Sequence, residues 1–85
     1  MMDVTVYSKD NCPYCVMAKQ LLKKSNIAFT EKLIGVDVTR EQLLEVAPNA
    51  RTAPQITINN QVIGGYNELV SYMENTNFNG TGHTL

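Results

Sequence analysis

The chain has 85 residues, a net charge of −1 at pH 7 and an apolar fraction of 44%, which suits one folded domain and is too short for two hydrophobic cores. Its seven basic and eight acidic residues are spread along it, so no basic run offers itself to nucleic acid or to an anionic membrane. No apolar stretch reaches membrane-spanning length, and Met1-Met2-Asp3 runs straight into a strand-like segment with no secretory signal, which predicts a reducing, cytoplasmic setting.

Val4-Thr5-Val6-Tyr7 alternates and is β-branched or aromatic, the pattern of a strand. Ser8-Lys9-Asp10-Asn11 is a polar loop. Pro13 suits the first position of a helix, where a missing N–H is no loss. Cys15, Ala18, Leu21 and Leu22 then form an apolar stripe at helical spacing, and Lys23-Lys24-Ser25-Asn26 ends it with cations where the dipole favours them. A second strand is expected over Ile27 to Ile34, stopped by Gly35. Thr39-Arg40-Glu41-Gln42 fits a capping box that opens a short helix through Leu43, Leu44, Val46 and Ala47, and Pro48 closes it. Gln55-Ile56-Thr57-Ile58, Asn59-Asn60, Gln61-Val62-Ile63 reads as a hairpin with a two-residue turn. Gly64-Gly65 leads to a last helix from about Asn67 with Leu69, Val70 and Met73 on its apolar face. The order β-α-β-α-β-β-α predicts an α/β fold: a four-stranded mixed sheet flanked by three helices, its first strand-helix-strand unit parallel and right-handed. Residues 1–75 form the domain, and 76–85, rich in Asn, Gly and Thr, form a loosely held C-terminal tail.

The only two cysteines, Cys12 and Cys15, flank Pro13 and Tyr14 at the start of the first helix. A structural bridge there closes too small a loop to remove much entropy from the unfolded chain. Zinc wants four ligands, and the other soft donor is a single histidine, His83, in the tail. A redox dithiol needs only what is present, and Cys-x-x-Cys in a β-α-β setting points to it. With Cys12 at the N-cap, the first-turn N–H groups and the helix dipole favour its thiolate, and Lys9 adds a cation. Lowering a thiol pKa from ~8.5 to ~5 raises the thiolate fraction at pH 7 about thirty-fold. It reduces intrinsic nucleophilicity roughly fifty-fold at a Brønsted slope of ~0.5. The gain therefore lies in departure: Cys12 leaves a mixed disulfide readily. Cys15, on the inward face of the first turn, is expected to be less exposed and to act as the resolving thiol.

Tyr7-Ser8-Lys9, Cys12-Pro13-Tyr14-Cys15, Thr52-Ala53-Pro54 and Gly64-Gly65-Tyr66-Asn67 together resemble a dithiol glutaredoxin of the small phage and bacterial type, over Val4 to about Asn75. Thioredoxins carry Gly-Pro between the cysteines instead. The resemblance implies a thioredoxin-like (glutaredoxin) fold. It implies a glutathione-dependent thiol–disulfide oxidoreductase that reduces protein disulfides and glutathionylated proteins through Cys12 and Cys15. Glutathione would be a co-substrate, with no bound cofactor and no metal. Pro54 matches the family's cis-proline, and Ala53, where relatives often have Val, keeps the backbone contact to the cysteinyl unit of glutathione. Thr52 and Arg51 flank the groove, Arg51 facing either the glycyl carboxylate or solvent. Lys9, Tyr14 and Tyr66 wall the cleft, with Gly65 allowing close approach. Asn67 opens the helix whose N–H groups suit the γ-glutamyl carboxylate. Glu68, where relatives more often have Asp, is implied to meet the γ-glutamyl ammonium, so that Glu68→Asp should be neutral or better. Protein substrates are disulfide-containing proteins, with ribonucleotide reductase a family-level expectation. The protein is expected to be a monomer in the cytoplasm, the host's if phage-encoded. Two rival readings stay open: a redoxin served by thioredoxin reductase, and an iron–sulfur scaffold held by Cys12 and glutathione from two chains, against which the stiffening Pro13 argues.

Overall fold

The computed structural model describes residues 3–76. In chain order these form β1 (Val4–Ser8), α1 (Pro13–Lys24), β2 (Thr30–Leu33), α2 (Arg40–Val46), β3 (Gln55–Ile58), β4 (Gln61–Gly64) and α3 (Tyr66–Thr76). The sheet order is β2-β1-β3-β4, with β1 and β2 parallel and the other two pairings antiparallel. The expected β-α-β-α-β-β-α architecture is therefore present. Residues 77–85 of the expected tail, His83 among them, lie outside the described residues.

Strand periodicity divides the core between the two faces of the sheet. Val4, Val6, Ile56 and Ile58 pack with Ala18 and Leu22 of α1 and with Leu69 and Met73 of α3. Tyr7 points the other way and packs with Leu43 and Ala47, so α2 and its flanking segments, through Ile34, Val38 and Ala50, cover the second face. β3 is buried along its whole length because both its faces are covered.

The second strand is shorter than its β-branched run suggests. Ile27 is used instead to close α1, and β2 begins only at Thr30. Asn26 takes a left-handed φ of 61°; its N–H donates to the Lys23 carbonyl at 3.1 Å and that of Ile27 to the Leu22 carbonyl at 2.9 Å. This is a Schellman motif, and its accompanying apolar contact comes from Ile27 beside Leu22 in the larger core. The hairpin forms as its turn residues direct. Asn59 and Asn60 have φ of 53° and 67°, the two positive values that a two-residue turn matched to strand twist requires. Asn59 also accepts the Asp3 N–H at 2.9 Å, tying the start of β1 to the hairpin. Among the described residues, no helix is long and apolar enough to cross a membrane.

Candidate active site

Cys12 is the N-cap of α1, in extended conformation at φ −120° and ψ 97°, with Pro13 opening the helix. Asn11, at φ 55°, turns the chain into this position. The Cys15 N–H donates to Cys12 Sγ at 3.2 Å, so a sulfur does what a serine or aspartate oxygen does at an ordinary helix start. Cys12 and Cys15 are joined by a disulfide, with their Cα atoms 5.2 Å apart. Cys15 is 1% exposed and Cys12 8%, the inequality expected from their places in the first turn. When the bridge opens, the donor already aimed at Cys12 Sγ favours its thiolate.

The partner surface comes from the far side of the sequence. The Ala53–Pro54 bond is cis, and the Ala53 carbonyl oxygen lies 3.6 Å from Cys12 Sγ. Here the chain enters β3, the central strand that pairs with β1. The turn from β4 into α3 completes the wall: Gly64 has a φ of +117°, and a Cβ on Gly65 would meet the Pro54 carbonyl oxygen at 3.3 Å. Glycine thus lets this corner close on the cis-proline loop.

An open groove runs between these segments. Lys9, Tyr14, Arg51, Thr52, Ala53, Pro54, Gly65, Tyr66, Asn67 and Glu68 all line it together with Cys12, so the ten residues named from sequence around the dithiol share one depression. Tyr14 and Tyr66 stand 6.1 Å apart between ring centroids, tilted by 33°. Cys15 lines a second hollow, which shares Lys9, Asn11, Cys12 and Pro13 with the groove, beside Val16, Lys19 and Glu31. There Glu31 accepts hydrogen bonds from Lys19 Nζ and from the Ser8 hydroxyl, both at 2.6 Å. These bonds, that of Lys19 first, hold the Glu31 carboxyl below its ordinary value.

Arg40 escaped the sequence reading. It lines a recess with Lys9 and Arg51 that shares Thr52 and Ala53 with the groove, so three cations gather beside it. A signal was present: Arg40 is the first residue of α2, where the dipole disfavours a cation. Among the described residues, no cluster of three or more His, Cys, Asp or Glu could hold a metal ion.

Two sulfurs able to bridge, one of them lining an open groove and the other more deeply buried, are placed for exchange rather than for bracing the fold. Sheet order, helix placement and the Cys12–Cys15 pair at the start of α1 put this chemistry in the class of thiol–disulfide oxidoreductases with a thioredoxin-like fold. A glutaredoxin family model matches residues 4–63, and the chain belongs to the glutaredoxin family. It is 36% identical over 69 residues to glutaredoxin 3 of Escherichia coli K12, covering 81% of this chain and 83% of that one. It is 40% identical over 67 residues to the probable glutaredoxin of Synechocystis, covering 78% of this chain and 62%, under two thirds, of that relative. The solution structure of glutaredoxin from Brucella melitensis superposes with a TM-score of 0.74 at 30% identity, covering 100% of this chain and 96% of that one.

Proposed function

We propose that this protein is a glutathione-dependent thiol–disulfide oxidoreductase acting in a reducing compartment such as the cytoplasm. The observation that carries the reading is the set of chemistries that meet in the groove. Lys9, Arg40 and Arg51 line a recess that shares Lys9, Arg51, Thr52 and Ala53 with the groove, and the groove itself joins Cys12, the Ala53–Pro54 loop and the start of α3. Glutathione is a tripeptide with a carboxylate at each end and its thiol between them. The cations suit the glycyl carboxylate, and the Ala53–Pro54 backbone suits the cysteinyl unit. The N–H groups of Tyr66 and Asn67 suit the γ-glutamyl carboxylate, with Tyr14 and Tyr66 as walls and Thr52 and Gly65 beneath.

The chemistry follows from the bridge. A glutathione thiolate attacks Cys12 Sγ from the groove; the Cys12–Cys15 bond breaks and its electron pair leaves on the more deeply buried Cys15. A second glutathione thiolate attacks the glutathionyl sulfur of this mixed disulfide and releases oxidised glutathione and the Cys12 thiolate. Cys12 then attacks a substrate disulfide, expelling one substrate thiolate. Cys15, as thiolate, attacks Cys12 Sγ, expels the second substrate thiolate and re-forms the bridge. Two glutathiones are oxidised for each substrate disulfide reduced. A substrate that is itself glutathionylated needs only Cys12.

One disulfide protein substrate, supplied in turn with glutathione plus glutathione reductase and with thioredoxin reductase, tests the reading. Turnover is expected with the first system, and turnover with the second alone would overturn it.

A further inference from the structure

α3 opens in a way that α2 does not. Its N-cap position is Gly65, which has no side chain to offer the first-turn N–H groups. Its ladder begins with the Leu69 N–H donating to the Gly65 carbonyl at 2.9 Å. The N–H groups of Tyr66, Asn67 and Glu68 thus have no acceptor within the helix. Yet the other half of a capping box is built. The Gly65 N–H donates to Glu68 Oε1 at 2.9 Å, the reach that a third-position Glu or Gln makes.

This side chain is folded tightly onto the corner: a Cβ on Gly64 would come within 2.7 Å of Glu68 Cγ and 2.9 Å of its Cβ. At the start of α2 the corresponding bond, from the Thr39 N–H, goes to Gln42 Oε1 at 2.8 Å. A neutral amide oxygen therefore serves the same purpose elsewhere in this protein.

We propose that Glu68 is a positioning residue of the glutathione site, a role that rests on the glutathione reading, and that it acts through its hydrogen bond to Gly65 rather than through its charge. The half-box has a use that a full box lacks. An N-cap side chain such as that of Thr39 takes a first-turn N–H for itself. Gly65 takes none, so these donors are left for a ligand carboxylate, while Glu68 holds the Gly64–Gly65–Tyr66 corner that aims them. Aspartate, one methylene shorter, keeps the charge but loses the reach. Glutamine keeps the reach and loses the charge. The two substitutions therefore separate the two mechanisms with opposite signs.

Steady-state kinetics against glutathione concentration, on Glu68→Gln, Glu68→Asp and Glu68→Ala, tests the proposal. Against the expectation from the resemblance that Glu68→Asp is neutral or better, the bond to Gly65 means that Glu68→Asp and Glu68→Ala are expected to raise KM for glutathione about five-fold, the size of a lost helix cap, with the effect on KM rather than kcat. Glu68→Gln is expected to restore the wild-type KM. Hydrogen exchange at the Gly65 amide follows the same order: protected in the wild type and Glu68→Gln, fast in Glu68→Asp. A raised KM in Glu68→Gln with a normal KM in Glu68→Asp would show the charge meeting the ligand. That would overturn the proposal and leave the glutathione reading standing, as would equal KM in all variants. A wild-type protein that glutathione does not reduce would strike the reading itself, and this role with it.

Discussion

α2 begins with Thr39 and Gln42 each taking a backbone N–H of the other, whereas α1 begins with a sulfur that takes one N–H and lies on an open groove. Both helices face the same deficit of acceptors for their first N–H groups. At α2 the oxygen and amide that meet it are chemically inert, and the result is a stable helix start and nothing more. At α1 the acceptor is a group that can gain and lose a covalent bond. Each time Cys12 is released from a mixed disulfide, the donor that capped the helix stabilises its thiolate. A capping position thus becomes a reactive one when its acceptor is a thiol and a second thiol lies three residues on.

Replacing the sulfurs breaks the comparison most sharply. Cys12→Ser keeps a good N-cap oxygen, so the fold is expected to survive while thiol–disulfide exchange falls to background. Cys15→Ser is expected to retain removal of glutathione from mixed disulfides and to lose reduction of intramolecular protein disulfides. Assays with one substrate of each kind check both, and equal losses in the two variants on both substrates would contradict the division of labour.

The complementary change is at α2. Thr39→Ala removes the acceptor for the Gln42 N–H and is expected to cost about 1 kcal/mol of stability in chemical denaturation. Activity measured well below the melting transition should persist. A large loss of activity with unchanged stability would mean that the start of α2 is not the inert member of the pair.

The smallest effect lies on the flank of α1, where Lys19 reaches Glu31. Glu31 in the folded protein sits below the ordinary glutamate range, chiefly through the hydrogen bond from Lys19 and then that from Ser8. Its contribution to stability is therefore complete above the unfolded pKa and disappears as the pH falls through the lowered folded value. Because the pair is partly exposed, with 26% and 38% of the two side chains accessible, Glu31→Gln should cost only about 0.2–1 kcal/mol near neutrality. The difference should shrink with added salt and vanish in acid. Denaturant melts of both proteins across that range check it. A difference that grew on acidification would reverse the sign argued here.

Much of the site was legible because its parts are short-range. Cys12 at the N-cap, Pro13 after it, the Thr39–Gln42 box and the Asn59-Asn60 turn each need only geometry within four residues. The extent of β2 was not legible in the same way: Ile27 and Phe29 look like strand residues, but Asn26 draws Ile27 into the end of α1 and both pack against the core ahead of the strand. Arg40 was missed because its helix was read for its cap and its apolar face, and its neighbours Lys9 and Arg51 are distant in sequence.

By itself, then, the amino-acid order determined the element sequence, the reactive sulfur pair and the helix start that activates it, since each is settled by hydrogen bonds and dihedral preferences within one turn. Only the tertiary structure decided what faces that pair. It brought Ala53 and Pro54 to Cys12 across a separation of 41 residues, gathered Lys9, Arg40 and Arg51 beside the groove, and turned Glu68 back onto Gly65 instead of outward. The reason is that strand pairing and the two-sided packing of the sheet set which loops meet. A side chain with several rotamers of similar energy takes the one that its assembled surroundings leave open.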